Sequence, residues 1–137
     1  MREPVWIDLR DALALHTRLV ALFGGVEGVR DSNLLESALA RPQQIFAYVE
    51  SPQIVEMAAA YTAGIVRNHP FVDGNKRTGF LVGVLFIELN GYRFDATEEY
   101  AARAMIDLAA GTLDEEGYSA FLRAWTHRVE GPGDASV

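Results

Sequence analysis

Apolar positions recur three and four residues apart through most of the chain, the period of helices with one inward face. Asp8 caps a first predicted helix whose stripe runs Leu9, Leu13, His16, Leu19/Val20 and Phe23, and Gly24-Gly25 ends it. A short second helix starts at Asp31 or Ser32, carries Leu34, Leu35, Ala38 and Leu39, and ends before Pro42. Ser51-Pro52 supplies the cap and first turn of a third. Its inner face holds Ile54, Ala58, Tyr61 and Ile65, and it ends near Asn68. The fourth runs from near Asn75 to Asn90-Gly91 and is apolar on nearly all sides between Phe80 and Leu89, as a helix wrapped by others would be. Asp95 and Glu98 have capping-box spacing for a fifth, with Ala101, Ala104/Met105 and Leu108 inward. Asp114 begins a sixth, carrying Tyr118, Phe121/Leu122 and Trp125. Only residues 43–50 and 92–94 suit an extended chain. The expected fold class is all-α: about six helices around a buried central one, in a single compact domain over residues 1–130. Residues 131–137, beginning Gly131-Pro132-Gly133, are expected to form a flexible tail.

Composition narrows the class of function. With 137 residues, half of them hydrophobic, the chain has material for one ordinary core. The net charge of −7 argues against direct nucleic-acid binding and against an anionic membrane surface, both of which call for spare positive charge. The absence of cysteine removes disulfides, thiolate nucleophiles and Cys-ligated zinc. The longest apolar run, Phe80 to Ile87, is too short to span a bilayer, and the residues after Met1 lack the apolar stretch of a secretory signal. The expected location is the cytoplasm.

Against that acidic background, nine residues concentrate unusual chemistry: His69-Pro70-Phe71-Val72-Asp73-Gly74-Asn75-Lys76-Arg77. Gly74 lets backbone approach a ligand closely, because it has no Cβ. The free N–H groups at the start of the following helix, from Asn75 onward, favour an anion. Lys76 and Arg77 oppose the helix dipole in that first turn, which makes sense if a polyphosphate lies there. Asp73 could face phosphates through Mg²⁺, a hard cation suited to carboxylate and phosphate oxygens. His69 is a candidate general base, since an ordinary imidazole titrates near neutrality. Phe71 should point inward and pin the loop.

The stretch resembles the signature of the Fic/Doc family, His-x-Phe-x-(Asp/Glu)-(Gly/Ala)-Asn-(Gly/Lys)-Arg, at every position from His69 to Arg77. Leu15-His16, Phe23-Gly24-Gly25, Arg30-Asp31 and Leu34 through Pro42 are similar to the amino-terminal half of its death-on-curing branch, so the resemblance covers roughly residues 5–128. It implies an ATP-dependent transferase with Mg²⁺, in which His69, Asp73, Lys76 and Arg77 act on the reaction, Gly74, Asn75, Lys76 and Arg77 bind phosphate, and Asp73 binds the metal. Adenylylating members usually have Gly at the position of Lys76 and a second Arg at the position of Phe80. Death-on-curing toxins instead turn the nucleotide round and phosphorylate a Thr of elongation factor Tu. The departures at Lys76 and Phe80 therefore favour a kinase; the alternatives are an adenylyltransferase and a toxin that merely occludes a translation factor. The resemblance also implies a small antitoxin with a disordered arm. Arg41 to Glu50, with Ile45, Phe46 and Tyr48 outside a clear helical stripe, is the expected docking segment for target or antitoxin.

Other residues have plainer readings. His16 lies on the inner stripe of the first helix and is expected to be a hydrogen-bonded structural histidine. His127, near the end of the last helix, suits a C-terminal dipole partner. Thr112 to Gly117 fits the family's degenerate inhibitory pattern, but the Arg that Glu116 would restrain is absent, and an acidic first turn is the simpler use. His69 and Asp73 lack a third ligand at zinc spacing.

Overall fold

The computed structural model describes residues 2–129; the tail expected at 131–137 lies outside them. Six helices follow in order: α1 (Leu9–Phe23), α2 (Ser32–Tyr48), α3 (Ile54–Asn68), α4 (Asn75–Leu89), α5 (Glu98–Ala110) and α6 (Glu115–Trp125). Two short strands, β1 (Tyr92–Phe94) and β2 (Thr126–Arg128), pair antiparallel with Arg93 opposite His127. The molecule is all-α, as the periodicity predicts. None of its described helices is long and apolar enough to cross a membrane.

Several boundaries follow from local chemistry. Asp8 and Asp11 form a reciprocal capping box at the start of α1. Asp31 and Asp114 cap α2 and α6 through the N–H groups of Leu34 and Gly117. The cap of α5 is Thr97 rather than Asp95, and α3 starts at Ile54 behind Gln53, which makes no side-chain cap.

The centre of the fold is α3, not α4. Eleven of the fifteen residues of α3 are buried, against seven of fifteen in α4, whose Leu89 is largely exposed. Alanines 58, 59, 60 and 63 make α3 slender enough to be surrounded. Its neighbour fits closely: a Cβ on Gly79 would stand 2.8 Å from Val66, and Thr62 donates to the Gly79 carbonyl at 2.8 Å. The apolar run of α4 is half-covered instead by α5 and β1, where Phe80 meets Phe94 edge-on.

Three further expectations are corrected. Residues 43–48 are the last turns of α2, which continues through a buried Pro42. Burial of Ile45 and Phe46, the latter edge-on to Trp6, offsets the backbone hydrogen bond that proline removes. The inner face of α1 is Ala12, His16 and Leu19, whereas Phe23 is 62% exposed. His127 sits on β2 rather than a helix end, with Nδ1 3.5 Å from Asp95.

Candidate active site

The loop from His69 to Gly74 joins the C-terminus of α3 to the N-terminus of α4, so the packing of those two helices fixes both of its ends. Phe71 is fully buried, as expected, and stacks on the imidazole of His16 at 3.9 Å. His16, itself buried, places Nε2 2.8 Å from the Asp73 carbonyl. It is the hydrogen-bonded structural histidine that its position on α1 predicts. Asn75 closes the loop from inside: its side chain accepts from the Phe71 N–H at 3.0 Å and donates to the Phe71 carbonyl at 2.9 Å.

On the outer side, His69, Asp73, Gly74, Asn75, Lys76 and Arg77 line one cavity of about 370 Å³. The structure thus gathers every loop residue that the sequence singles out. Asn75 contributes through its main chain, as the position at the helix start predicts. Its amide is committed to Phe71, so what it offers an anion is its main-chain N–H, beside those of Lys76 and Arg77 in the unpaired first turn of α4. Gly74 caps that turn in the left-handed conformation at φ 76°, with the His16 ring close beneath it. Lys76 and Arg77 are exposed, and the Arg77 guanidinium lies over the Phe23 ring at 4.3 Å.

The segment from Gly24 to Asp31, whose sequence predicts the stop of α1 and the cap of α2, also braces the site loop. Val29 forms an antiparallel bridge with Phe71, and Val72 donates to the Gly28 carbonyl at 3.0 Å. Val26 donates its N–H to one Asp73 carboxylate oxygen at 3.1 Å, and Gly74 donates to the other at 2.8 Å. A Cβ on Gly25 would stand 2.9 Å from that carboxylate, so glycine is what admits Asp73. The signal available in sequence was the cluster Gly24, Gly25 and Gly28, too many glycines for one helix stop.

Ile45, Phe46 and Tyr48 are not brought to this cavity. They lie at the end of α2, beside the start of α3, while His69 caps the far end of that helix, about 22 Å away at 1.5 Å per residue. Tyr48 is 87% exposed there. A second hollow of about 530 Å³ opens on the other side of Lys76 and Arg77, walled by Phe80, Val84, Phe94 and Met105. Phe80 thus forms an apolar wall one turn beyond the two cations.

Asp73 suits a magnesium ion in the manner of nucleotide sites. It is one exposed carboxylate, oriented by two N–H groups that leave lone pairs on both oxygens, and phosphate oxygens would supply further ligands.

Residues 6–87 match the model of the Fic/DOC family, and the chain belongs to that family. It is 37% identical over 120 residues to "Toxin Doc" of Mycolicibacterium smegmatis, covering 85% of this chain and 90% of that protein. It is 32% identical over 111 residues to "Protein kinase doc" of Escherichia phage P1, covering 80% of this chain and 83% of that protein.

Proposed function

We propose that the protein is a cytoplasmic toxin kinase that transfers the γ-phosphate of ATP to a Thr or Ser hydroxyl of a translation factor, elongation factor Tu, arresting growth until an antitoxin binds it. The observation that carries this reading is the convergence of His69, Asp73, Lys76 and Arg77 on one cavity at the N-terminus of α4, with Phe80 where an adenylylating site needs a second Arg. Similarity to the phage protein named as a kinase supports it.

His69 accepts the proton of the acceptor hydroxyl as its oxygen attacks the γ-phosphorus. The bond from that phosphorus to the β,γ-bridging oxygen breaks, and ADP leaves. Arg77 grips phosphate oxygens with its planar fork, held ready by Phe23, while Lys76 supplies a mobile point charge. The N–H groups of the first turn of α4 add fixed dipoles where charge gathers. Asp73 would hold Mg²⁺, which neutralises phosphate charge when bound. The antitoxin's disordered arm folds on binding, and Tyr48, remote from His69, is available to that partner rather than to the acceptor hydroxyl.

Incubation with elongation factor Tu and ATP labelled at either the α- or the γ-phosphate tests the proposal. Protein-bound γ-label without α-label is expected. Transfer of α-label would make the protein an adenylyltransferase, and toxicity that survives His69→Ala would make it a non-enzymatic binder.

A further inference from the structure

Among the described residues, His69 is the one non-glycine residue with positive φ, at φ 51° and ψ 55°. Two features oppose that conformation. A side chain is strained in the left-handed region, and the residue before a proline, here Pro70, is pushed toward extended backbone. Left to itself the loop would relax His69 to an extended form and swing its Cα–Cβ bond away. Nothing grips the ring to prevent this, since no described residue hydrogen-bonds the His69 imidazole. His69 is held through its main chain instead.

The His69 N–H donates to the Ile65 carbonyl at 3.2 Å, which fixes the peptide plane on one side of its Cα. The other side is fixed by one residue. Arg30 donates from Nη2 to the Asn68 carbonyl at 2.7 Å, from Nε to the His69 carbonyl at 2.6 Å, and from its own main-chain N–H to the Pro70 carbonyl at 2.7 Å. Three consecutive carbonyls around His69 thus accept from Arg30. The guanidinium also places positive charge at the negative end of α3. Asp31 anchors this clamp by donating to Pro70 and capping α2.

We infer that Arg30 is a positioning residue for transfer: by fixing both peptide units that flank His69, it holds the imidazole aimed at the acceptor hydroxyl without touching substrate. The inference rests on the reading of His69 as the base.

Single-turnover transfer of γ-label, run in both His69 and His69→Ala backgrounds, tests it. In the His69 background Arg30→Ala is expected to slow transfer about 10–100-fold, the scale of an ångström-level misplacement, with the KM for ATP within about twofold. Arg30→Lys, keeping charge but able to reach only one carbonyl well, should fall between the two. In the His69→Ala background, Arg30→Ala should change the residual rate less than about threefold, because the group it positions is gone. An equal loss in both backgrounds would mean a merely structural or substrate-contacting role and would overturn the inference, as would a wild-type rate for Arg30→Ala. Should Arg30→Ala fail to fold at the assay temperature, Arg30→Lys is compared in the two backgrounds by the same criteria. If His69→Ala itself transfers normally, the assignment of the base fails; if only His69→Ala is impaired, the base stands and the role of Arg30 falls.

Discussion

At the scale of single residues, His69 and Lys76 separate two parts of the chemistry. Removing the imidazole, His69→Ala, should lower turnover by about 10²–10⁴-fold, the usual worth of a positioned base. The side chain is exposed, so the far-ultraviolet circular dichroism should be unchanged, and an unfolded spectrum would deny the catalytic reading of the loss. Lys76 and Phe80 decide which phosphate faces the acceptor. Lys76→Gly is expected to lose γ-transfer without gaining α-transfer, because Phe80 still offers apolar edge where a guanidinium would be needed. Adding Phe80→Arg should bring a trace of α-transfer. Phe80 is only half-buried, so the arginine head can reach solvent, but melting of the double variant should be measured first. A folded double variant with unaltered γ-transfer would show that these two positions do not orient the nucleotide.

Between elements, the Asn75 side chain ties the loop to the start of α4 through both main-chain polar groups of Phe71. Asn75→Ala leaves the buried N–H and carbonyl of Phe71 without their side-chain partner, a cost of about 1–3 kcal/mol. A lowered melting temperature and faster proteolysis within residues 69–75 are expected, together with loss of transfer. A variant as stable and protease-resistant as the parent would show that the stacking of Phe71 on His16 suffices. That role was not legible in sequence, where an Asn after Gly reads equally well as a helix cap or a phosphate ligand. What was legible were features with strong local causes: the capped starts of α1, α2 and α6, the inward faces of α3 and α5, the burial of Phe71 and His16. What escaped were features set by distant packing. Proline at 42 reads as a stop, and α2 runs on because Ile45 and Phe46 pack on the core, Phe46 against Trp6, forty positions away. Strand β2 exists because β1 lies beside it, and Thr126 to Arg128 carry no alternation of their own. The long apolar run predicts a central α4, yet α3 is central because its small residues let neighbours approach closely.

For the molecule as a whole, one long-range buried polar link is made by Tyr61, fully buried on α3, whose hydroxyl accepts from the Ile7 N–H at 2.9 Å and lies 3.2 Å from the Ile7 carbonyl. It ties the segment before α1 to the core. Burial pushes its phenol up to about 12 from an ordinary 10, the hydrogen bond to Ile7 working the other way, and burial raises Tyr118 as well. The folded state therefore keeps these protons at pH values where the unfolded chain releases them. Because the unfolded state then binds fewer protons, stability falls as pH rises. The contribution is fully present below pH 10 and is lost between 10 and about 12, up to about 3 kcal/mol for Tyr61 at 1.36 kcal/mol per unit. Melting followed by circular dichroism should be flat across neutral pH and drop steeply above pH 10. The growing negative charge of a chain already at −7 would also depress melting there, so the wild-type curve alone does not assign the cause. Tyr61→Phe does. At pH 7 it should be less stable than the parent by about 1–3 kcal/mol, for the unpaired Ile7 N–H. Between pH 10 and 12 it should lose less than the parent, so that the two curves converge. Curves that stay parallel through that range would mean that the alkaline loss comes from overall charge and not from the buried phenol of Tyr61.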